Sequence, residues 1–131
     1  MDGPGGEIRY ITFHFDTPPF GAKTPEADPA KALAVRQAAA SLIDRDELSD
    51  QVYKGTYTPL YSYVPAGLTG AAEPLKEMYG DGAGKPDAAK AQQLLTDAGV
   101  ETPVTLNLQY AIAPYGPSSA GDYARNKGPR Q

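Results

Sequence analysis

The chain of 131 residues has no Cys and no Trp, a single His, and no apolar run long enough to span a bilayer, which takes about 18 residues or more. Without Cys there are no disulfides, thiolate nucleophiles or zinc–thiolate sites, and one His cannot form a His-rich metal cluster. Clustered positive charge is also missing. Twelve basic residues are scattered among 16 acidic ones, leaving a net charge of −4, the wrong balance for a phosphate-backbone partner such as DNA or RNA. Large aliphatic side chains are scarce too: Leu, Ile, Val and Phe total 22 of 131. The sequence does hold 14 Gly, 13 Pro, 20 Ala and 9 Tyr, which points to a single, thinly cored globular unit of modest stability. Absence of Cys suits the cytosol and an extracellular protein equally. The opening Met1-Asp-Gly-Pro-Gly-Gly6 lacks the basic-then-apolar run of a signal peptide and reads as a leader or a cut end.

Residues Ile8 to Phe15 are β-branched and aromatic and stop at Asp16-Thr-Pro-Pro19, which predicts a strand. Period-two alternation puts Ile11, Phe13 and Phe15 on one face, assigned to the core, and Tyr10, Thr12 and His14 on the other. Asp28 and Pro29 suit the cap and first turn of a helix over 30–42, with Val35, Ala38, Ala39 and Leu42 on its packed face. Asp44 followed by Glu47 is a capping-box arrangement, predicting a second helix from Arg45 to Lys54 closed by Gly55. Residues 56–70 read as irregular coil, and residues 73–84 are ambiguous, with room for a single turn at Pro74 to Met78 before the breaker Gly80-Asp-Gly-Ala-Gly84. From Pro86 a third helix places Ala88, Ala91, Leu94, Leu95 and Ala98 on one face and closes at Gly99. Val104, Leu106, Leu108 and Tyr110 alternate with polar residues, predicting a second strand. The order strand, helix, helix, loop, helix, strand defines an α/β unit.

Chemistry is sparse. His14 is the one side chain of a type whose unperturbed pKa lies near neutrality, and no oriented partner or nucleophile stands at a recognisable spacing from it. Asp44, Asp46 and Glu47 suit capping and dipole complementation at a helix start better than metal ligation. Gly80 to Gly84 meets neither the dinucleotide nor the Walker pattern and reads as a flexible connection. Tyr53, Tyr57, Tyr61 and Tyr63 suit two readings equally: an aromatic platform for a ligand, or pins for irregular backbone.

Three stretches carry a resemblance: Arg9-Tyr-Ile-Thr-Phe-His-Phe-Asp-Thr-Pro-Pro-Phe20, Val35-Arg-Gln-Ala-Ala-Ala-Ser-Leu-Ile-Asp-Arg-Asp-Glu-Leu48 and Val52-Tyr-Lys-Gly55. Together with Pro86-Asp-Ala-Ala-Lys-Ala-Gln-Gln-Leu-Leu-Thr-Asp-Ala-Gly99, they resemble the oligopeptide/dipeptide-binding family of ABC-transporter solute-binding proteins, extracellular family 5. The last helix has one residue more between its Pro and its Leu pair than the family form, and His14 stands where the family commonly has Asn. The resemblance covers Arg9 to Tyr110, and Tyr115 to Gly121 extends it.

The resemblance implies an α/β fold, a partial second lobe of the two-lobed, periplasmic-binding-protein-like (type II) architecture. Residues 8–120 would form the partial lobe, 1–7 a disordered leader or cloning scar, and 121–131 a flexible tail. It implies capture of a peptide or similar solute outside the cell by a membrane-tethered lipoprotein that serves an ABC permease, with no catalysis, cofactor or metal. Tyr10, Thr12 and His14 would face the ligand cleft, with Tyr57 and Tyr61 as further contacts; the groups that grip peptide termini would lie elsewhere. A stand-alone interaction module that self-associates through an exposed sheet edge is the alternative, with a non-binding remnant beside it and a small hydrolase third.

Overall fold

A computed structural model describes residue 6 and residues 8–109; the expectations for residues 1–7, for Tyr110 and for the tail otherwise lie outside the described residues. The described residues form four helical segments: α1 (Pro29–Leu42), α2 (Arg45–Glu47), continued by a π-helical turn over Leu48–Val52, α3 (Pro74–Met78) and α4 (Ala88–Asp97).

Each start is fixed by an aspartate or a proline. Asp28 Oδ1 accepts from the amides of Ala30 and Lys31, both at 3.1 Å, satisfying donors that the first turn leaves without a partner. Asp44 does the same for Glu47 at 2.9 Å, as the capping-box spacing requires. In α4 the cap is Asp87, which accepts from Lys90 N at 2.9 Å, so the helix begins two residues later than its expected start at Pro86. Its end is a Schellman motif: Gly99 N donates to Thr96 O, Val100 N donates to Leu95 O, and Gly99 takes φ 69°. The second helix stops short of Lys54. After Val52 a π-type bond from Tyr53 N to Leu48 O leads into two left-handed residues, Lys54 and Gly55, which end the helix.

α1 packs on α4, and the core lies in that seam. Ala34, Val35 and Val100 are buried together, with Phe20, Leu95, Ala98 and Val104 packed against them. Ala38 and Ala91 let the two backbones approach closely. Val35 and Ala38 of the expected α1 face are buried and Ala39 is half-buried, but at the end of the helix Ser41 is buried where Leu42 was expected, and Leu42 is exposed.

The α/β expectation is overturned, because no strand forms among the described residues. Both segments with period-two patterns, 8–15 and 104–109, run without one. Alternation marks a segment able to sit on a sheet, but a strand exists only when a neighbour supplies the other half of its hydrogen-bond ladder. Neither segment finds that neighbour here. The core assignment of Ile11, Phe13 and Phe15 fails with it, since all three are exposed. With no strand among the described residues, no sheet edge of the kind expected for self-association forms among them either.

Candidate functional site

The most constructed group of side chains surrounds Tyr61. The loop over 56–70 carries this residue into the interior, where its hydroxyl donates to Gly84 O at 3.2 Å. The Arg45 guanidinium lies 4.9 Å and the Lys76 ammonium 5.3 Å from the ring centroid, so α2 and α3 each place a cation against the π-system. Tyr61 O accepts from Leu75 N at the start of α3. Lys76 pairs with Glu73 at 3.2 Å, and Lys85 reaches Asp46 at 2.8 Å and Asp44 at 3.9 Å.

Burial, followed by the Asp46 charge, pushes the Tyr61 phenol above its ordinary range, although Arg45 and Lys76 pull the other way. It therefore stays neutral and donating at physiological pH. The Lys76 and Lys85 ammonium groups are held above their usual range by hydrogen bonds to Glu73 and Asp46 respectively.

The glycine-rich segment is ordered by its own aspartate rather than being a loose connection. Asp81 Oδ1 accepts from Ala83 N at 2.8 Å and Lys85 N at 3.0 Å, and Asp81 N donates to Lys85 O. Those two amides hold the Asp81 carboxyl below the usual range. From α4, Lys90 Nζ donates to Met78 O at 2.7 Å and Gly80 O at 3.1 Å. The loop folds around a carboxylate it already contains, which leaves no vacant cradle for a phosphate.

The residues expected at a ligand site fall into two sets. Tyr10, Thr12 and His14 lie exposed on one segment, where His14 Nδ1 accepts from Asp16 N at 3.3 Å and so carries no proton on that nitrogen. Tyr57 is half-buried, its ring 4.2 Å from that of Tyr53 at 43°, and its carbonyl accepts from the Ser49 hydroxyl. Tyr61 is buried in the cluster above, and Tyr63 is exposed. No hydrogen bond, ion pair or ring contact joins Tyr10, Thr12 or His14 to Tyr57 or Tyr61 among the described residues. Of the four-tyrosine group, the structure brings Tyr53 and Tyr57 together, while Tyr61 pins backbone. The reading from sequence missed Arg45, Lys76 and Gly84 as partners of Tyr61, and no local pattern in the sequence marks them; Gly84 approaches the Tyr61 hydroxyl at φ 99°. Among the described residues no cluster of His, Asp and Glu could hold a metal ion, and no helix is long and apolar enough to cross a membrane.

The family model described as bacterial extracellular solute-binding proteins, family 5 Middle, matches residues 1–124. No curated protein and no solved structure matches the chain.

Proposed function

The chain belongs to the bacterial extracellular solute-binding proteins of family 5, and from that premise we propose that it contributes to capture of a peptide or similar solute for delivery to an ABC-transporter permease. The family consists of non-enzymatic transport components that work in the periplasm or outside the cell. The observation that carries the reading is the family match across residues 1–124.

In this reading Tyr10, Thr12 and His14 form the ligand-facing segment. The three are exposed, they offer an aromatic ring, a hydroxyl and an imidazole, and His14 has its Nδ1 engaged by Asp16 N. An imidazole so held presents Nε2–H as a donor, suited to a peptide carbonyl or carboxylate. The Tyr53–Tyr57 pair adds an aromatic surface. Tyr61, with its ring buried and its hydroxyl engaged, supports the frame from behind.

The chain has nine Tyr and no Trp, so tyrosine emission is a direct probe. Oligopeptide pools titrated against this chain, and against a longer polypeptide carrying it, should give a saturable change that Tyr10→Ala and His14→Ala weaken. Saturable binding of a non-peptide solute with none for any peptide would overturn the peptide assignment. Peptide binding unchanged in both variants would overturn the site.

A further inference from the structure

His14 stands at a joint. Before it, residues 10–13 run exposed and without regular structure, and after it the chain enters a turn that α1 holds. The turn is docked at both ends. The Arg36 guanidinium lies 4.7 Å from the ring centroid of Phe15, and the Lys31 ammonium 5.6 Å from that of Phe20, which packs on the Val35–Val100 cluster. Within the turn Ala22 N donates to Phe15 O, and Lys23 Nζ donates to Asp16 Oδ2 at 2.8 Å.

Two hydrogen bonds tie residue 14 to that docked turn, and they differ in kind. Thr17 Oγ1 donates to the His14 carbonyl at 3.1 Å, a bond between groups that do not titrate. Asp16 N donates to His14 Nδ1 at 3.3 Å, which requires a lone pair on that nitrogen. A protonated imidazole carries N–H on both nitrogens and can only donate, so this bond and a proton on Nδ1 exclude each other. Imidazoles as a class change charge between about pH 5 and 8. Uptake of one proton from water at Nδ1 sets two N–H groups head to head and removes one of the two ties.

The surroundings give the released ring a new partner. The charged groups brought to this turn are the Asp16 carboxylate, the Lys23 ammonium paired with it and, from α1, the Arg36 guanidinium and the Lys31 ammonium. Of these four only the carboxylate accepts a hydrogen bond. An imidazolium turning away from the Asp16 amide is drawn to the Asp16 side chain, where it competes with Lys23.

We propose that His14 is a pH-operated latch. Neutral, it fixes the exposed segment before it to the docked turn; protonated, it lets go of the Asp16 amide and leaves the Thr17 bond to hold the joint. The latch belongs to the turn and is independent of solute capture, and its test involves no solute.

Because the chain has a single His, imidazole nitrogen resonances belong to it without ambiguity. At about pH 8, nitrogen-15 NMR should show Nδ1 bare and Nε2 protonated to a greater extent than in free histidine under the same conditions. Exchange of the Asp16 amide with water at that pH should be about two- to tenfold slower than in His14→Ala. At about pH 5 the two rates should be equal; comparing the chains at one pH cancels the ordinary pH dependence of exchange. Over the same titration, backbone order parameters at Thr12 to His14 should fall while those of Val35 and Ala91 stay fixed. Asp16→Asn, which keeps the amide and loses the carboxylate, should retain both the tautomer and the slow exchange. A proton on Nδ1 at the alkaline end, an Asp16 amide no slower than in His14→Ala, slowing that persists at the acid end, slowing abolished by Asp16→Asn, or unchanged order at Thr12 to His14 would each overturn the proposal.

Discussion

The backbone N–H of Asp87 donates to the carbonyl of Ser41 at 2.8 Å, so the cap of α4 hangs from the last turn of α1. In the same seam the Ser41 hydroxyl is fully buried and has no hydrogen-bond partner among the described residues. A hydroxyl removed from water without a partner is a cost, so Ser41→Ala should leave stability unchanged or raise it by about 1 kcal/mol in urea unfolding. Asp87→Ala should lower it by about 0.5–2 kcal/mol through loss of the cap. A Ser41→Ala loss as large as that of Asp87→Ala would mean that the hydroxyl is satisfied.

Gly84 is irreplaceable on two grounds. Its φ of 99° is one that side chains rarely adopt, and a Cβ there would stand 2.6 Å from the Tyr61 hydroxyl. Gly84→Ala should therefore cost about 1–3 kcal/mol, as backbone strain and overpacking act together. Tyr61→Phe keeps the ring between its two cations and loses one hydrogen bond, about 0.5–1.5 kcal/mol. Thermal or urea unfolding of both variants checks the order.

Burial of hydrophobic groups predicts a second ranking. Leu95 packs on the Val35–Val100 cluster, and Leu95→Ala should cost about 2–4 kcal/mol. Phe13 is 37% exposed, so Phe13→Ala should cost less than about 1 kcal/mol. If Phe13→Ala proves the costlier, the segment is packed in solution.

The raised Tyr61 phenol predicts a basic limb in the stability profile. In the folded chain its proton is held to higher pH than in the unfolded chain, so the contribution is complete below the ordinary tyrosine range and is lost as pH rises through the folded value. Absorbance titration should show one tyrosine ionising after the others, and Tyr61→Phe should abolish that late step. Its persistence in the variant would assign the shift to another ring.

What could be read from the sequence divides along a physical line. The helices were legible because their instructions are local: Asp28, Asp44 and Asp87 each act on amides two or three residues away, and Gly99 closes α4 within its own turn. Strands were not, because the alternation over 8–15 and 104–109 states a capacity to pair without naming a partner. The loop at 80–84 was misread because its glycines outweighed the local Asp81 turn to Ala83 and Lys85, and because the Lys90 grip on Met78 and Gly80 crosses ten residues or more and leaves no periodic trace. At the site, the exposed placement of Tyr10, Thr12 and His14 is a fact of structure, whereas their tie to a ligand rests on family likeness. Tyr61 shows the opposite case, a residue noted for its ring whose partners Arg45, Lys76 and Gly84 emerge only in three dimensions.

The α1–α4 seam joins two stretches of chain separated by all of residues 43–87. Exposed backbone at Gly67 to Gly70 lies within that span. A protease cut there would sever the covalent link while leaving the seam's own contacts in place. The two pieces would then behave as a non-covalent pair, and their persistence would depend on dilution, because the entropy of closing the connecting loop would no longer be supplied by the chain. Co-elution of the fragments after a nick, followed by their separation on dilution, would show that this one seam holds the fold together.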